Sequence, residues 1–144
     1  MVYTSGVETH EIIGAAMAVH RELGCGFTEK VYQDALEIEL QRRQIPYKRE
    51  YPLHATYRGV VLKTAFVPDF ICYDQIIVEL KAVKELENIF RAQAMNYAKV
   101  SGCKIAVLLN FGESSLKYER YNIQQNPYSN GLHDRRIFKI LKSL

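Results

Sequence analysis

Three charged residues in the middle of the chain have types and spacing that could serve chemistry. Glu79 and Lys81 lie two residues apart in an apolar stretch, and Asp69 precedes them. Because residues two apart on a β-strand share one face, Glu79 and Lys81 would project together, while Val78 and Leu80 would point into the core. Burying unpaired charge is unfavourable, so two charges on one buried face of so apolar a strand need a reason.

The register of a predicted hairpin decides whether Asp69 joins the other two residues. A three-residue loop at 73–75 would place Asp69 directly opposite Glu79 on the same face. A two-residue turn at 74–75 would place Asp69 opposite Leu80, on the wrong face, unless a bulge intervened. A shared site therefore requires the longer loop or a bulge.

Asp69 and Glu79, if they meet, would form an oxygen-ligand site for a hard divalent cation such as Mg²⁺. The carbonyl of Leu80 could add a third protein ligand. Such a cation lowers the pKa of a bound water and neutralises charge on a phosphate, and Lys81 would orient that water or stabilise negative charge. An E-x-K spacing alone is weak evidence, because a Glu–Lys pair on a charged strand face gives the same pattern.

The region before these residues predicts an N-terminal helical hairpin. Apolar residues at helical spacing indicate a helix over about 7–23, which Gly24-Cys25-Gly26 would end. Thr28 is a candidate N-cap for a second helix over about 29–43. So short a connection predicts that the two helices pack side by side.

After Pro46 the pattern changes to strands, predicted at 51–57, 60–67, 70–73 and 76–80. A helix over about 84–100 and an apolar strand over 103–111 would then complete a β-α-β unit with parallel strands. A strand at 116–123 follows, and the tail has a possible short helix at 133–144. The expected class is α/β (α+β), a mixed β-sheet flanked by helices.

The composition is that of one domain over 1–144, with a core at about 8–123 and a tail at 124–144. Hydrophobic types make up 48% of the chain and charged types 24%. We expect a cytoplasmic protein with no membrane partner, since no apolar run approaches about 20 residues and no secretion signal is evident. The three scattered cysteines predict reduced, partly buried thiols. A net charge of +3 is compatible with a nucleic-acid partner.

Several segments together carry a family resemblance. Residues 26–32 read GFTEKVY and are preceded by the segment IIGAAMAVHRELG. The segments VPDF, IIVELKAV and KIAVLLNFG come after them, and the resemblance covers roughly 8–123 in this order. In these segments the chain resembles the GxxExxY family of the PD-(D/E)XK nuclease superfamily. It departs at Cys25, where the family pattern leads us to expect proline.

The resemblance implies a restriction-endonuclease-like core, nuclease activity and Mg²⁺ or Mn²⁺ as cofactor. It implies that Asp69 and Glu79 bind the metal and that Lys81 is the catalytic lysine. Glu29 becomes the acidic residue of the first core helix, binding the metal directly or through water. A glutamate in a first helical turn also favours the helix dipole, which is the alternative interpretation.

Gln93 and Tyr97 lie four residues apart on one face of the third helix. This Q-x-x-x-Y pattern is similar to that of the exonuclease branch that includes RecB and lambda exonuclease, where the pair helps hold substrate. A polar residue over a half-buried tyrosine is the alternative. Tyr32 is predicted to pack in the core with its hydroxyl supporting the site, and His20 to be a hydrogen-bonded structural histidine.

The leading hypothesis is a metal-dependent nuclease acting on DNA, with phosphates contacted by Lys84, Arg91 and Lys99. One alternative is a catalytically silent nucleic-acid- or partner-binding domain with the same fold. Another is hydrolysis of a different phosphate ester. A homodimer is possible, because a domain this small could need one to hold a duplex. RNA as substrate, and endonuclease against exonuclease action, stay open.

Overall fold

The computed structural model describes residues 5–123. They form three helices, α1 (Ser5–Leu23), α2 (Glu29–Arg42) and α3 (Asn88–Ser101). The strands are β1 (Tyr47–Arg49), β2 (Leu53–Tyr57), β3 (Val60–Phe66), β4 (Phe70–Cys72), β5 (Ile76–Lys81), β6 (Ile105–Asn110) and β7 (Lys117–Asn122). The predicted helix at 133–144 lies outside the described residues. No helix within 5–123 has the length and apolar character needed to cross a bilayer.

Five strands form the main sheet in the order β1-β4-β5-β6-β7. β5 and β6 run parallel around α3, whereas the other neighbours are antiparallel, so the predicted mixed sheet and β-α-β unit are confirmed. The strand β1 was missed, because three residues carry too little pattern to identify a strand. β2 and β3 pair only with each other among the described strands. We call residues 53–66 the β2–β3 ribbon.

Helices cover both faces of the main sheet, and the alternation along each strand sorts its residues between them. On one face, α1 and α2 pack against a cluster that includes Phe70, Val78, Leu80, Val107 and Leu109. On the other, α3 packs against a second cluster that includes Ile71, Ile77 and Ala106. Such burial on both faces explains why β6 is apolar up to its last residue, Asn110.

The helical hairpin forms as predicted, and its connection is a glycine loop. Gly24 and Gly26 have φ values of 69° and 111°, a region that favours glycine. Thr28 is the N-cap of α2, although its backbone carbonyl rather than its hydroxyl accepts bonds from the amides of Val31 and Tyr32. The loop thereby starts α2 at Glu29.

Several predicted boundaries were wrong, and among them α1 and β6 begin at Ser5 and Ile105 instead of residues 7 and 103. α3 begins at Asn88 instead of residue 84, because the segment after β5 is a loop bonded to Asn110. β2 begins at Leu53 instead of residue 51. The predicted end of α3 is confirmed, since Gly102 caps it with a φ of 76°.

Candidate active site

The loop between β4 and β5 determines where Asp69 lies. Cys72 pairs with Ile76, so residues 73–75 form a three-residue loop. The register of this pair, extended by one position beyond β4, places Asp69 opposite Glu79. The longer of the two predicted loops is therefore confirmed, and it brings the two carboxylates to the same face.

Two hydrogen bonds of opposite direction join Asp69 to Glu79 and its neighbour Leu80. The amide of Asp69 donates to Glu79 Oε1 at 2.7 Å, and the amide of Leu80 donates to Asp69 Oδ2 at 2.8 Å. Each carboxylate is thus held by the backbone of the opposite strand, with a fixed orientation. One oxygen of each carboxylate is left out of this pair of bonds.

Burial and mutual repulsion make this carboxylate pair electrostatically costly. Glu79 is only 5% exposed. Burial, together with the charge of Asp69, raises the pKa of Glu79 to about 8. Burial likewise raises the pKa of Asp69, and the nearby charge of Glu29 adds to this effect, although the amide of Leu80 opposes it. The pair therefore needs a proton or a cation to compensate its charge.

Leu80 supplies a backbone carbonyl beside the carboxylates. Its amide points toward Asp69, and the carbonyl of a strand residue points to the same side as its amide. The β4–β5 register, continued, would place Pro68 opposite Leu80. Because proline has no amide hydrogen, Pro68 cannot donate a ladder bond to that carbonyl.

Lys81 follows on the same strand face. Its side chain is only 16% exposed, and Nζ lies 3.9 Å from Glu29 Oε1. The same ammonium lies 4.6 Å from the centroid of the Phe90 ring, within the range of a cation–π contact. Glu29 and Phe90 thus hold the lysine from α2 and α3, on the two sides of the sheet.

A residue that the sequence did not single out completes the contacts of Asp69. Gln33 lies one turn after Glu29 on α2, is buried, and donates from Nε2 to Asp69 Oδ1 at 3.3 Å. Arg49 donates to the amide oxygen of Gln33 at 3.1 Å, which fixes the direction of the amide. The i,i+4 spacing from Glu29 was the one available signal.

The predicted Gln93–Tyr97 pair forms and lies near the carboxylates. Gln93 Nε2 donates to the Tyr97 hydroxyl at 2.9 Å, and the Tyr97 ring stacks on Phe66 at 4.5 Å. Burial raises the pKa of Tyr97, and the negative charge of Glu79 adds to the effect. The pair therefore joins the site to the base of the β2–β3 ribbon.

Asn110 anchors the chain as it leaves β5, a role that the sequence did not reveal. It pairs with Lys81 in the parallel ladder and is fully buried. Its side chain accepts from the amide of Val83 at 3.0 Å and donates to the carbonyl of the same residue at 2.9 Å. Gly112 lies against this loop, since a Cβ there would meet the Val83 carbonyl oxygen at 2.3 Å.

Two structural predictions near the glycine loop are confirmed. The buried Tyr32 donates its hydroxyl to the carbonyl of Gly24 at 2.6 Å and stacks on Phe111 at 4.6 Å. His20 is bonded through Nε2 to the carbonyl of Glu113 at 2.8 Å. Tyr32 therefore holds the glycine loop that precedes Glu29, whereas His20 ties α1 to the segment after β6.

The predicted phosphate contacts need correction. Arg91 donates two hydrogen bonds to Glu119, at 2.7 and 2.9 Å, so its charge is already compensated. Lys99 lies in the last turn of α3, at the end of the sheet away from Lys81. Of the three lysine and arginine residues proposed, Lys84 alone is exposed just after β5.

Comparison with known proteins defines the family. A sequence profile described as the PD-(D/E)XK nuclease superfamily matches residues 7–122. The chain belongs to this superfamily. Among solved structures, that of SSO0001 matches with a TM-score of 0.54 and 14% identity, over 79% of this chain and 55% of that one. This likeness concerns the fold, and the chain spans about half the length of SSO0001. No curated protein matches the chain.

Members of the PD-(D/E)XK superfamily generally use divalent metals, which need a set of oxygen donors. Within residues 5–123, no three His, Cys, Asp or Glu side chains converge closely enough to hold a metal by themselves. The site brings together two carboxylates and the Leu80 carbonyl, whereas Glu29 extends to Lys81. Mg²⁺ is commonly bound by one or two carboxylates, with waters and substrate phosphates completing the shell. The donor set therefore fits a hard divalent cation.

Proposed function

We propose that this chain is a nuclease that hydrolyses phosphodiester bonds, with DNA as substrate and Mg²⁺ or Mn²⁺ as cofactor. The observation that carries the proposal is the hydrogen-bonded Asp69–Glu79 pair on the face that also carries Lys81. A buried Glu79 beside a partly buried Asp69 is unfavourable in a purely structural role. A cation between them would remove that cost.

Membership of the GxxExxY family is part of this proposal. The GFTEKVY segment at 26–32 supports it, because each defining residue has a local role. Gly26 has a positive φ, Glu29 points toward Lys81, and the Tyr32 hydroxyl bonds the glycine loop. The motif therefore acts as a unit that presents Glu29 to the site.

The position of each residue suggests its role in phosphodiester hydrolysis. Asp69, Glu79 and the Leu80 carbonyl would hold the cation, with Glu29 binding through a water. When bound, the cation lowers the pKa of a coordinated water and offsets negative charge on the phosphate. Lys81 would orient the attacking water and stabilise charge as it develops.

Gln93 and Tyr97 would bind substrate beside this centre. The Tyr97 oxygen accepts from Gln93, which leaves the hydroxyl hydrogen to donate to a phosphate or sugar oxygen. Lys84, exposed on the loop after β5, would contact a neighbouring phosphate.

The first experiment is a cleavage assay on fluorescently labelled duplex and single-stranded DNA, with RNA as a further substrate. We expect wild-type activity with Mg²⁺ or Mn²⁺, none with EDTA, and a loss of at least about 100-fold in Lys81→Ala and Asp69→Asn. Lys104→Ala is the matched control, because this exposed lysine precedes β6 at the other end of the sheet. Equal activity in wild type, Lys81→Ala and Asp69→Asn would reject the assigned site.

Metal binding is measured separately by thermal unfolding without substrate. A cation at 100 times its Kd stabilises the folded state by about 2.7 kcal/mol. We expect Mn²⁺ to raise the Tm of the wild type and to leave that of Glu79→Gln unchanged. Metal-dependent stabilisation without cleavage of any substrate would instead favour a catalytically silent binding domain.

A further inference from the structure

The β2–β3 ribbon stands apart from the main sheet, and its base lies at the site. At that base, Phe66 stacks on Tyr97, the partner of Gln93. The base also contributes Leu53 to the core cluster around α3. From there the ribbon extends to a tight turn at Arg58-Gly59, where both residues have positive φ. The ribbon is thus an arm attached beside the candidate active site.

The outer half of this arm is unusually exposed for its composition. Tyr57, Val60 and Val61 are 58%, 65% and 62% exposed. They lie on the two strands next to the turn, and no residue within 5–123 covers them to the extent expected for large apolar side chains. An exposed apolar surface of this kind on a projecting element marks an interaction site.

The charge of the arm has one sign. The stretch at 51–68 contains Arg58 and Lys63 but no aspartate or glutamate. In a dimer that paired two ribbons about a twofold axis, these cations would face their own copies without an acidic residue to offset them. The register shift between His54 and Thr56 also interrupts the regular pairing of the ribbon, which disfavours addition of another strand. A polyanion fits this surface better than a second copy of the chain.

We propose that the β2–β3 ribbon is a DNA-binding arm that grips the duplex next to the candidate active site. This inference rests on the proposed nuclease function and names the element that holds its substrate. A two-stranded ribbon has the width to enter the major groove. There Arg58 and Lys63 contact phosphates, while Val60 and its cross-strand partner Tyr57, which share one face, contact sugar and base surfaces.

The test is fluorescence anisotropy with a fluorescein-labelled DNA duplex in EDTA, so that no metal-dependent cleavage occurs. The variant Arg58→Ala/Lys63→Ala should bind at least tenfold more weakly at low salt. Its slope of log K against log salt should be shallower by about 1.8, because each lost phosphate contact contributes about 0.9. Binding and slope equal to those of the wild type would overturn the proposal.

The matched control is Arg42→Ala/Lys104→Ala, which removes the same charge from two exposed positions at the far ends of α2 and the sheet. We expect it to bind within about twofold of the wild type, as for charges outside the contact surface. A loss as large as that of the ribbon variant would show that net charge alone attracts the DNA, and would overturn the proposal. Equal Tm values establish that both variants are folded.

The homodimer alternative is tested on the same ribbon by analytical ultracentrifugation. A wild-type dimer that Val60→Ser/Val61→Ser converts to a monomer with unchanged DNA affinity would assign the ribbon to a second copy, against the proposal. Lys81→Ala separates the proposed nuclease function from the proposed DNA-binding arm, since this variant should lose cleavage but keep ribbon-dependent DNA binding. Ribbon-dependent binding by a wild type that cleaves nothing would reject the nuclease function alone.

Discussion

The orientation of Asp69 in the carboxylate pair depends on a neutral side chain, that of Gln33. Gln33 donates to Asp69 through its nitrogen, and Arg49, which donates to the Gln33 oxygen, holds the amide in that orientation. A carboxylate at the same place would add a further negative charge to a pair whose pKa values are already raised. The amide therefore orients Asp69 without adding to the repulsion.

At this scale we predict that Gln33→Ala weakens metal binding by about 10- to 100-fold, as loss of an orienting partner of a ligand typically does. The measurement is the Mn²⁺ concentration at half-maximal stabilisation or cleavage. Gln41→Ala is the control, since Gln41 lies on the same helix and bonds to Tyr47 instead. An unchanged Mn²⁺ dependence in Gln33→Ala would show that Asp69 needs no such partner.

The strand that carries Lys81 is positioned by the element next to it. β6 ends at Asn110, whose side chain bonds both backbone groups of Val83. The chain then passes so close to this loop at Gly112 that no side chain fits there. The ends of β5 and β6 are therefore one unit, and displacing either would move the lysine.

At the scale of this unit, Gly112→Ala should destabilise the fold by about 1–3 kcal/mol, the usual cost of overpacking, and lower activity by moving the Val83 loop. Urea denaturation measures the first effect and the cleavage assay the second. Gly6→Ala is the control, because its Cβ would meet no atom within 4 Å and it lies in α1. There alanine should change stability by no more than about 0.5 kcal/mol. Equal stability of Gly112→Ala and wild type would mean that the loop adjusts freely.

The described residues are organised around a sheet buried on both faces. The reactivity of the cysteines is a measure of how well these two faces are shielded from solvent. Cys72 and Cys103 are buried and belong to the clusters on opposite faces, whereas Cys25 is exposed in the glycine loop. Burial raises the pKa of Cys72 to about 12 and also raises that of Cys103. Both buried thiols are therefore protonated and shielded in the folded state.

For the whole molecule we predict that a thiol reagent labels Cys25 rapidly and the other two cysteines only through global unfolding. Mass spectrometry of the labelled protein over time should show one fast and two slow modifications. In Cys25→Ser the fast event should vanish. Rapid labelling of Cys72 would show that the α1–α2 layer opens without global unfolding, contrary to a single cooperative core.

The local patterns of the sequence were sufficient for most of the scaffold. The periodicity of apolar residues and the positions of glycine and proline located the helical hairpin, the parallel β-α-β unit and the strand face shared by Glu79 and Lys81. They failed at β1, which is too short to show a pattern, and could not reveal that the ribbon pairs apart from the main sheet. These features depend on which strands meet, and residue spacing along one segment carries no such information.

Sequence alone determined which residue types were available for metal chemistry and which of them share a strand face, because both follow from local periodicity. Only the tertiary structure decided between the two possible registers of Asp69. It also joined Gln33 to Asp69, Asn110 to the Val83 loop, and Arg91 to Glu119. These contacts link distant segments, and they exist because packing of the helices on the sheet, rather than any local preference, brings those segments together.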